Sequence, residues 1–386
     1  MNVLQVTNVD TYGSKFNGVG LAQKLNEELV NCDVCVWKKQ SSDSDVKMVS
    51  RLLFKNVIRK FINIFENILS VQSIFYPFSF FLLFKKYFCR ANIIHYHLIH
   101  TGFFSILSLP LLTKNKSSVW TLHDPWPMTG HCIYPYDCRK YLSGCYNCSR
   151  LKTPIKMNFD NANLMWKIKK YIFRKSKFDI VVASQFMYDM VISSPLLEGH
   201  NVHLIPFGIN LDKYKPSDQN IAKNKLNINK ENFVIFFRAG SSEYKGQEYI
   251  KECLKKLKTN RSISVITSDH KGEIDEFKNK FQIIDLGWIQ NDEDLVIAYN
   301  ACDVFLMPST AEAFGLMAIE AMACGKPVIA FNGTSLENVI CSPLGGITVP
   351  MRDSEALRGG FRKFNRKSSR GNQNWTKCPK DRSREV

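Results

Sequence analysis

The chain has no long uninterrupted apolar segment. Its most aromatic stretch, residues 51–90, contains nine of the 27 phenylalanines, but charged side chains interrupt it and Pro77 would break a long helix. The N-terminus also has no basic segment followed by an apolar one, and residues 1–7 already resemble a strand. These absences exclude a transmembrane span in residues 51–90 and predict a cytoplasmic protein.

Acidic residues are scarce, because 35 Asp and Glu stand against 52 Lys and Arg and leave a net charge of +17. Such an excess favours an anionic partner: nucleic acid, a membrane surface or a phosphorylated ligand. No nucleic-acid partner is expected, since no recognition helix or RNA-binding motif accompanies the charge. Residues 51–90 (seven basic, one acidic) and 351–386 (eleven basic, four acidic) supply +13 of the total.

Repeats of 20–50 residues are missing too, so a solenoid is excluded. Short apolar runs instead alternate with helix-like segments, which indicates parallel sheets with helical crossovers. The pattern restarts after Pro216, and 386 residues suffice for two domains. We therefore predict an α/β fold with two Rossmann-like, doubly wound domains. The predicted strands are 3–6, 32–36, 92–95, 119–122, 180–183, 203–205, 233–237, 262–267, 283–286, 304–307 and 327–330.

The stretch 205–216 carries the turn residues and polar residues expected of a domain boundary. It places an N-terminal domain at residues 1–212 and a C-terminal domain at residues 213–357. From Arg358 onward the chain has almost no aliphatic residues and no helical or strand period. Residues 358–386 are therefore predicted to form a basic, disordered tail.

Residues 308–330 form the most informative segment, which is predicted to be a strand end, a loop, a helix and a second strand. Gly315 allows close backbone approach, and the N–H groups at the helix start can cradle a diphosphate. Glu312 precedes that helix and Glu320 lies within it, so the two carboxylates are expected to bind the sugar and the ribose. The alternative is a surface helix with two solvated glutamates. The diphosphate cradle comprises Phe314, Gly315 and Leu316.

This segment closely resembles the E-x7-E region of retaining glycosyltransferases of the GT-B type, in glycosyltransferase family 4 (glycosyl transferases group 1). The resemblance spans residues 1–357 and implies two Rossmann-like domains that face a central cleft. It also implies that Glu312 contacts the transferred sugar, that Glu320 binds the ribose, and that no metal is needed for catalysis. Family members continue into a C-terminal helix that closes on the first domain, and this helix is expected to be missing here.

The segment after the strand 233–237 resembles the family's phosphate clamp, in which Arg238 and Lys245 would hold the diphosphate. A fixed guanidinium and ammonium would stabilise the charge that develops on the leaving group. Isolated surface cations are more often merely solvated. The position of these two just beyond a predicted strand favours a functional role.

The first domain has a loop after its first strand, residues 10–20, in which Gly18 is an expected donor contact by the same resemblance. His123 ends a predicted strand, where ligands of such sheets bind, and the family's histidine at this position contacts the donor sugar. His95, His97 and His100 are expected to be structural. The run from His123 to Cys132 resembles bacterial exopolysaccharide and O-antigen enzymes of the colanic-acid type.

Four cysteines lie within 17 residues, with the spacing C-x5-C-x6-C-x2-C. A cytosolic chain keeps its thiols reduced, so a tetrahedral structural zinc site is one interpretation. The other is that the thiols only pack a long loop, since the spacing matches no zinc finger. The candidate ligands are Cys132, Cys138, Cys145 and Cys148.

Residues 51–90 also allow two interpretations. They form a pair of buried or partly buried core helices, or they form a basic, aromatic patch that docks on anionic lipid headgroups at the inner face of the cytoplasmic membrane. The second possibility suggests a peripheral membrane protein with an undecaprenyl-linked oligosaccharide as its acceptor.

The resulting functional hypothesis is a retaining, metal-independent hexosyltransferase that uses a UDP- or GDP-sugar donor. Its acceptor would be a glycan or lipid-linked oligosaccharide in the biosynthesis of surface polysaccharide, as in O-antigen, lipopolysaccharide, capsule or exopolysaccharide. Two alternatives stay open: an inactive or truncated glycosyltransferase that at most binds nucleotide, and a GT-B nucleotide-sugar epimerase.

Overall fold

A computed structural model describes residues 1–11, 13, 16–152, 155–240, 242–258, 261–270, 272, 274–289 and 291–367. The chain divides into two compact units, Met1–Phe207 and Gly208–Val386. The division lies five residues before the boundary predicted at 212/213. Each unit contains a parallel sheet with helical crossovers.

The first unit contains a seven-stranded parallel sheet with the strand order β3-β2-β1-β4-β5-β6-β7. The order reverses between β1 and β4, so this pair forms the switch point at which such sheets bind ligands. Its strands are β1 (Asn2–Val9), β2 (Asn31–Lys38), β3 (Val46–Met48), β4 (Ile93–Tyr96), β5 (Ser117–Thr121), β6 (Asp179–Val182) and β7 (Val202–Leu204). Its helices are α1 (Val19–Glu27), α2 (Lys55–Leu69), α3 (Lys86–Arg90), α4 (Leu109–Leu112), α5 (Ala162–Lys175) and α6 (Gln185–Ile192).

The second unit contains a six-stranded parallel sheet with the order β10-β9-β8-β11-β12-β13, and its switch point lies between β8 and β11. Its strands are β8 (Phe233–Arg238), β9 (Ile263–Ser268), β10 (Gln282–Asp285), β11 (Val304–Met307), β12 (Val328–Phe331) and β13 (Gly346–Val349). Its helices are α7 (Gln219–Lys225), α8 (Gln247–Lys255), α9 (Asp292–Ala301), α10 (Leu316–Ala323), α11 (Leu336–Val339) and α12 (Ser354–Lys367).

Apolar side chains cover both faces of the second sheet, as expected of a parallel sheet with helices on each side. Val234 and Phe236 point into one core with α9 and α10. Ile235 and Phe237 point into the other core, with α8 and α12. The alternation along one strand therefore holds helices on both faces, which leaves the carboxyl edge of the sheet to loops.

The start of the C-terminal tail was predicted wrongly. Residues 358–386 were expected to be disordered from Arg358, but α12 continues to Lys367. Leu357, Phe361 and Phe364 are buried in the core of the second unit, and the Phe361 ring lies 5.1 Å from that of Phe233. Their spacing of four and three residues is helical, so aromatic side chains supply the apolar stripe that aliphatic ones lack here. The predicted absence of a closing helix falls on residues beyond 367, outside the described part of the chain.

The structure resolves the two interpretations of residues 51–90 differently in each half. Phe78, Leu82 and Phe88 are buried, so the second half belongs to the core. In α2 the only buried side chain is that of Glu66, so the interpretation of a core helix does not hold there. Within the described residues, no helix combines the length and apolar character needed to cross a membrane.

Candidate active site

In the first unit, the loop after β1 brings Gly18 to the switch point. Asn17 is buried, and its Nδ2 donates a hydrogen bond to the Val9 carbonyl at 2.8 Å, which ties the loop to the strand end. Gly18 has φ 91°, and a Cβ there would overlap His97 Nε2 and lie 2.8 Å from Gln5 Oε1. Only glycine allows this contact without strain. The sequence-predicted Gly18 therefore lies directly against a histidine expected to be structural.

Hydrogen bonds join Gln5, His97 and His123 across β1, β4 and the end of β5. His97 Nε2 donates to Gln5 Oε1 at 2.8 Å, because an amide oxygen only accepts. In a neutral His97, Nδ1 then accepts, so His123 Nε2 donates across the 3.0 Å between them. This leaves a lone pair on His123 Nδ1, a buried atom without a hydrogen-bond partner among the described residues.

These histidines are held neutral by burial. Desolvation lowers the pKa of His123 to about 3 and that of His95 to about 4, and it lowers the pKa of His97 well below its ordinary value. The rings of His97 and His123 are stacked with centroids 5.3 Å apart, and the Phe207 ring stacks on His123 at 5.5 Å. The array therefore offers hydrogen-bonding atoms and not positive charge.

Asp124, the neighbour of His123, makes its hydrogen bonds to the loop after β5 and not to His97 or His123. Its Oδ2 pairs with His100 Nε2 at 3.1 Å, and its Oδ1 accepts from the Trp126 N–H at 2.9 Å. Burial acts to raise the pKa of Asp124, but these contacts outweigh it and keep the pKa below its ordinary value. His100 also stacks on the Trp126 ring at 4.8 Å, so it fixes the start of the loop.

In the second unit, β8 and β11 are adjacent parallel strands, so their carboxyl ends bring the predicted phosphate-binding residues to one edge. Arg238 ends β8, and its Nη2 contacts Asp269 Oδ2 at 3.3 Å. The guanidinium also lies over the Trp288 ring, with Cζ 5.4 Å from the centroid. Sequence reasoning missed Asp269 and Trp288, which follow β9 and β10 at the same edge of the sheet.

Lys245 and Glu312, both predicted site residues, form an ion pair. Lys245 Nζ lies 2.8 Å from Glu312 Oε2, and both side chains are largely shielded from solvent. Lys245 ends the short 3₁₀ turn Glu243–Lys245 after β8, and Glu312 lies in the loop between β11 and α10. The Ser335 hydroxyl donates to the Phe314 carbonyl at 3.0 Å and helps to fix that loop.

The helix start predicted as a diphosphate cradle is present. Gly315 caps α10 with φ 103°, and Leu316 is the first helical residue. A Cβ on Gly315 would lie 2.5 Å from Leu336 Cδ2, so α11 packs against the cap itself. The positive end of the α10 dipole therefore lies in the same loop as Glu312.

Glu320 lies deeper than the sequence suggested. It is on α10 with an exposed fraction of only 2%, and its Oε2 accepts a hydrogen bond from the Tyr299 hydroxyl at 3.1 Å. Burial, and then the Glu320 carboxylate, raise the pKa of Tyr299 well above its ordinary value, so the hydroxyl remains a donor. Tyr299, on α9, was not foreseen because its partner is 21 residues away in sequence.

The predicted zinc ligands lie in the first unit, between β5 and α5. Cys132, Cys138, Cys145 and Cys148 all line one cavity, and His131 lines it with them. The four cysteines are free thiols. The sequence had indicated the cysteines by their spacing but not the histidine.

The chain is similar in sequence to known proteins. Residues 218–377 match the model of the family described as glycosyl transferases group 1. The matched range lies within the second unit. It runs 20 residues past the end predicted for the resemblance at 357 and includes all of α12.

Two relatives extend the similarity to more of the chain. The chain is 25% identical over 339 residues to an uncharacterized 41.2 kDa protein in the cps region of Klebsiella pneumoniae, a match that covers 86% of this chain and 82% of that protein. It is 23% identical over 276 residues to the putative colanic acid biosynthesis glycosyl transferase WcaC of Escherichia coli K12. That match covers 67% of this chain and 64% of the relative.

Solved structures show the fold of the chain. Sucrose-phosphate synthase from Thermosynechococcus elongatus superposes with a TM-score of 0.67 at 17% identity, over 97% of this chain and 91% of the other. HepE of Anabaena, solved with UDP and glucose, gives a TM-score of 0.63 at 15% identity, over 97% and 92%. The chain therefore has two parallel-sheet α/β units of the GT-B type.

Proposed function

We propose that this glycosyltransferase transfers a sugar from a UDP- or GDP-sugar to a glycan or lipid-linked oligosaccharide during the biosynthesis of surface polysaccharide. The observation that carries the proposal is the Lys245–Glu312 ion pair at the β8/β11 switch point, beside the N-terminus of α10. Anions of nucleotides bind at such switch points and helix starts. The names of the relatives, from colanic acid biosynthesis and a cps region, support the polysaccharide assignment.

The diphosphate would bind to Arg238, Lys245 and the start of α10. Each cation currently has a carboxylate partner, Asp269 or Glu312, so a bound diphosphate would compete with that carboxylate for it. Two fixed cations and a helix N-terminus supply the positive charge that the leaving nucleoside diphosphate needs, which is why we propose metal-independent transfer. The HepE structures with UDP and UDP-glucose support a nucleotide-sugar donor.

Glu312 and Glu320 would recognise the two ends of the donor. When the diphosphate pairs with the Lys245 ammonium, the Glu312 carboxylate becomes available to accept hydrogen bonds from hydroxyls of the transferred sugar. Glu320, oriented by Tyr299, would accept hydrogen bonds from the ribose. Neither role requires an enzyme nucleophile. We propose retention of configuration by a front-face route in which the leaving phosphate deprotonates the acceptor hydroxyl.

His123 would act as a neutral hydrogen-bond acceptor. His123 Nε2 donates its hydrogen bond to His97. Nδ1 is therefore the atom with which His123 can accept a hydrogen bond from a sugar hydroxyl. Because the buried ring is neutral, this contact would orient the substrate without adding charge to the site. Gly18 would keep the loop after β1 closely packed on His97 at the same edge.

The acceptor proposal rests on α2, whose apolar side faces away from its own unit. Phe61 is 68% exposed and Leu53, just before the helix, is 93% exposed. A contiguous apolar surface of this kind marks a docking site. We use the name apolar face of α2 for the exposed apolar residues of the helix and of the three positions before it, which are Leu52, Leu53, Phe54, Val57, Ile58, Phe61, Ile64, Phe65 and Ile68.

The polar side of α2 faces the protein. Lys55 Nζ donates to the Trp37 and Ser50 carbonyls, at 3.1 Å each. The Glu66 carboxylate accepts three backbone N–H groups, from residues 73–75. A helix with this inverted orientation leaves its apolar face to an apolar environment.

We propose that an anionic bilayer covers this face. Glu66 is the only acidic residue of the stretch 51–90, and it is buried, whereas Arg51, Lys60, Lys86 and Arg90 are exposed. Exposed basic residues in the same stretch as an apolar helix face are the combination that binds anionic headgroups above acyl chains. In this proposal the enzyme would lie peripherally on the inner face of the cytoplasmic membrane, where an undecaprenyl-linked acceptor would be presented.

Transfer can be tested with a panel of UDP- and GDP-sugars and a membrane extract as the source of acceptor. We expect the wild type to release nucleotide and to form a glycosylated, lipid-linked product from the acceptor in the extract. Glu312→Gln should lower kcat about a hundredfold or more, since an interaction with the reacting sugar is lost. Glu276→Gln, which alters an exposed carboxylate paired with Lys251, is the matched control and should keep full activity.

The alternatives predict different outcomes of that assay. Isomerisation of the donor sugar without any acceptor would identify an epimerase. A folded wild type that consumes no donor of the panel would identify an inactive chain. Equal activity of wild type and Glu312→Gln would remove Glu312 from the proposed site.

A further inference from the structure

The loop between β5 and α5 brings together a set of side chains outside the sugar-transfer residues. The ligand-type atoms of His131, Cys132 and Cys148 all lie within 4.8 Å of one another. Cys148 Sγ is 3.6 Å from His131 Nε2. Cys145 lines the same cavity, and its Sγ accepts a hydrogen bond from the Gly130 N–H at 3.2 Å. Imidazole and thiolate are the donors that structural zinc sites use.

The described part of this loop contains no helix or strand beyond the 3₁₀ turns Trp126–Met128 and Lys140–Leu142. Long loops without regular structure need another source of order. The cavity inside this loop is lined by one imidazole and four thiols, together with apolar side chains such as those of Pro135 and Ala162. A metal ion would cross-link residues 131–132 to residues 145–148, two parts of the loop that are separated in sequence.

Lys169 supplies the charge that an anionic metal site needs. This lysine of α5 is fully buried, and its Nζ donates to the Trp126 and Thr129 carbonyls at 2.8 and 2.9 Å. A buried ammonium is costly unless negative charge lies near it. Burial lowers the pKa of Lys169 well below its ordinary value, whereas negative charge on Cys145, Asp124 or Cys132 acts to raise it. Asp124 is already paired with His100, which leaves the two cysteines. Zn²⁺ with three thiolates carries a net charge of −1, which complements Lys169.

We propose that His131, Cys132, Cys145 and Cys148 bind one structural Zn²⁺ ion. This set takes the three residues whose ligand atoms lie together and adds Cys145, so it has His131 in place of the Cys138 predicted from the sequence. Cys145 is chosen because the Gly130 N–H donates to its Sγ and would stabilise the thiolate, as hydrogen bonds to metal ligands commonly do. Because His123 begins the loop that Cys132 continues, the ion would fix the segment that carries the proposed sugar-binding histidine.

The direct test is the metal content of the tag-free full chain, produced in zinc-supplemented medium and desalted repeatedly. We expect about one zinc per chain in the wild type. Cys132→Ser, Cys148→Ser and His131→Ala should lose it. Cys138→Ser, in the same cavity, and Cys89→Ser, an exposed cysteine elsewhere, should keep it.

A second measurement uses only the wild type and so does not depend on whether the variants fold. Cobalt-substituted protein should show the intense ligand-field bands of a tetrahedral site together with thiolate-to-cobalt charge-transfer bands. A thiol-specific mercurial should release the ion in proportion to the thiols titrated. Both readouts are independent of sugar transfer, so this proposal and the proposed function can fail separately.

Three results would overturn the zinc site. Folded wild type without metal and with freely reactive thiols would leave only the packing interpretation. Zinc retained by Cys132→Ser and Cys148→Ser alike would mean adventitious binding. Zinc lost from Cys138→Ser but kept by His131→Ala would contradict the proposed ligand set.

Discussion

At the scale of single residues, the histidines show which contacts can be predicted from the sequence and which cannot. His123 was predicted to be a site residue because it ends a predicted strand at the carboxyl edge of the sheet. His97 follows β4 at the same edge and was expected to be structural, although it connects His123 to Gln5 by hydrogen bonds. The strand-end argument would have found His97 as well. The Gln5 contact, 92 residues away in sequence, carries no local signal.

Gly18 offers a residue-scale prediction with a matched control. Gly18→Ala should destabilise the protein by about 1–3 kcal/mol more than Gly199→Ala, because its Cβ would overlap His97. Both glycines have positive φ, 91° and 87°, but a Cβ on Gly199 has no heavy atom within 4 Å. Urea unfolding of the two variants measures the difference. Equal stabilities would mean that the loop after β1 does not pack on His97 as described.

The phosphate-binding residues show a second limit at this scale. Arg238 and Lys245 were predicted from the family resemblance and their position beyond a strand, and Glu312 was predicted from the E-x7-E segment. Their partnerships were not, because the Lys245–Glu312 pair spans 67 residues and the Arg238–Asp269 pair spans 31. A pattern along the chain indicates which side chains reach an edge, but only the strand order determines which of them meet.

At the scale of elements, most strands could be predicted because buried parallel strands are short apolar runs. β3, with only three residues, and β13, the last strand, were missed. The helical spacing of α12 was overlooked because its stripe is partly aromatic. Residues 51–90 could not be assigned because periodicity reveals two faces of a helix but not which face the protein covers. In α2, the hydrogen bonds that Lys55 donates and Glu66 accepts hold the polar face against the protein.

The orientation of α2 predicts binding to anionic vesicles. Wild type should cosediment with vesicles that contain phosphatidylglycerol more than with neutral ones. The double variant Phe61→Ser/Ile68→Ser should bind at least about tenfold more weakly, since each buried apolar side chain contributes about 1.5–3 kcal/mol. Ile192→Ser, at the end of α6 and 60% exposed, is the control and should bind as the wild type does.

The competing occupant of that face is a second copy of the chain. Analytical ultracentrifugation without lipid distinguishes the two. A wild-type dimer that the Phe61→Ser/Ile68→Ser variant loses, together with equal sedimentation on both vesicle types, would contradict the membrane assignment.

At the scale of the whole molecule, the net charge of +17 is distributed unevenly along the chain. Residues 51–90, which contain α2, supply +6 of it, and residues 351–386 supply +7. At the edge of the second sheet, Arg238 and Lys245 are each paired with a carboxylate and add no net charge. The account therefore assigns a lipid surface to the first unit and a nucleoside diphosphate to the second.

The most direct test of the central claim is calorimetric titration of UDP and GDP into the wild type and into Lys245→Ala and Lys251→Ala. The account predicts that the wild type binds at least one of the two nucleotides. Lys245→Ala should weaken that binding by about 1.5–3 kcal/mol, or roughly 10- to 100-fold, because a charge-assisted contact is lost and Glu312 is left facing the phosphates. Lys251→Ala, whose exposed ammonium pairs only loosely with Glu276 at 3.7 Å, should bind as tightly as the wild type. A folded wild type that binds neither nucleotide, or a Lys245→Ala variant with undiminished affinity, would contradict the account.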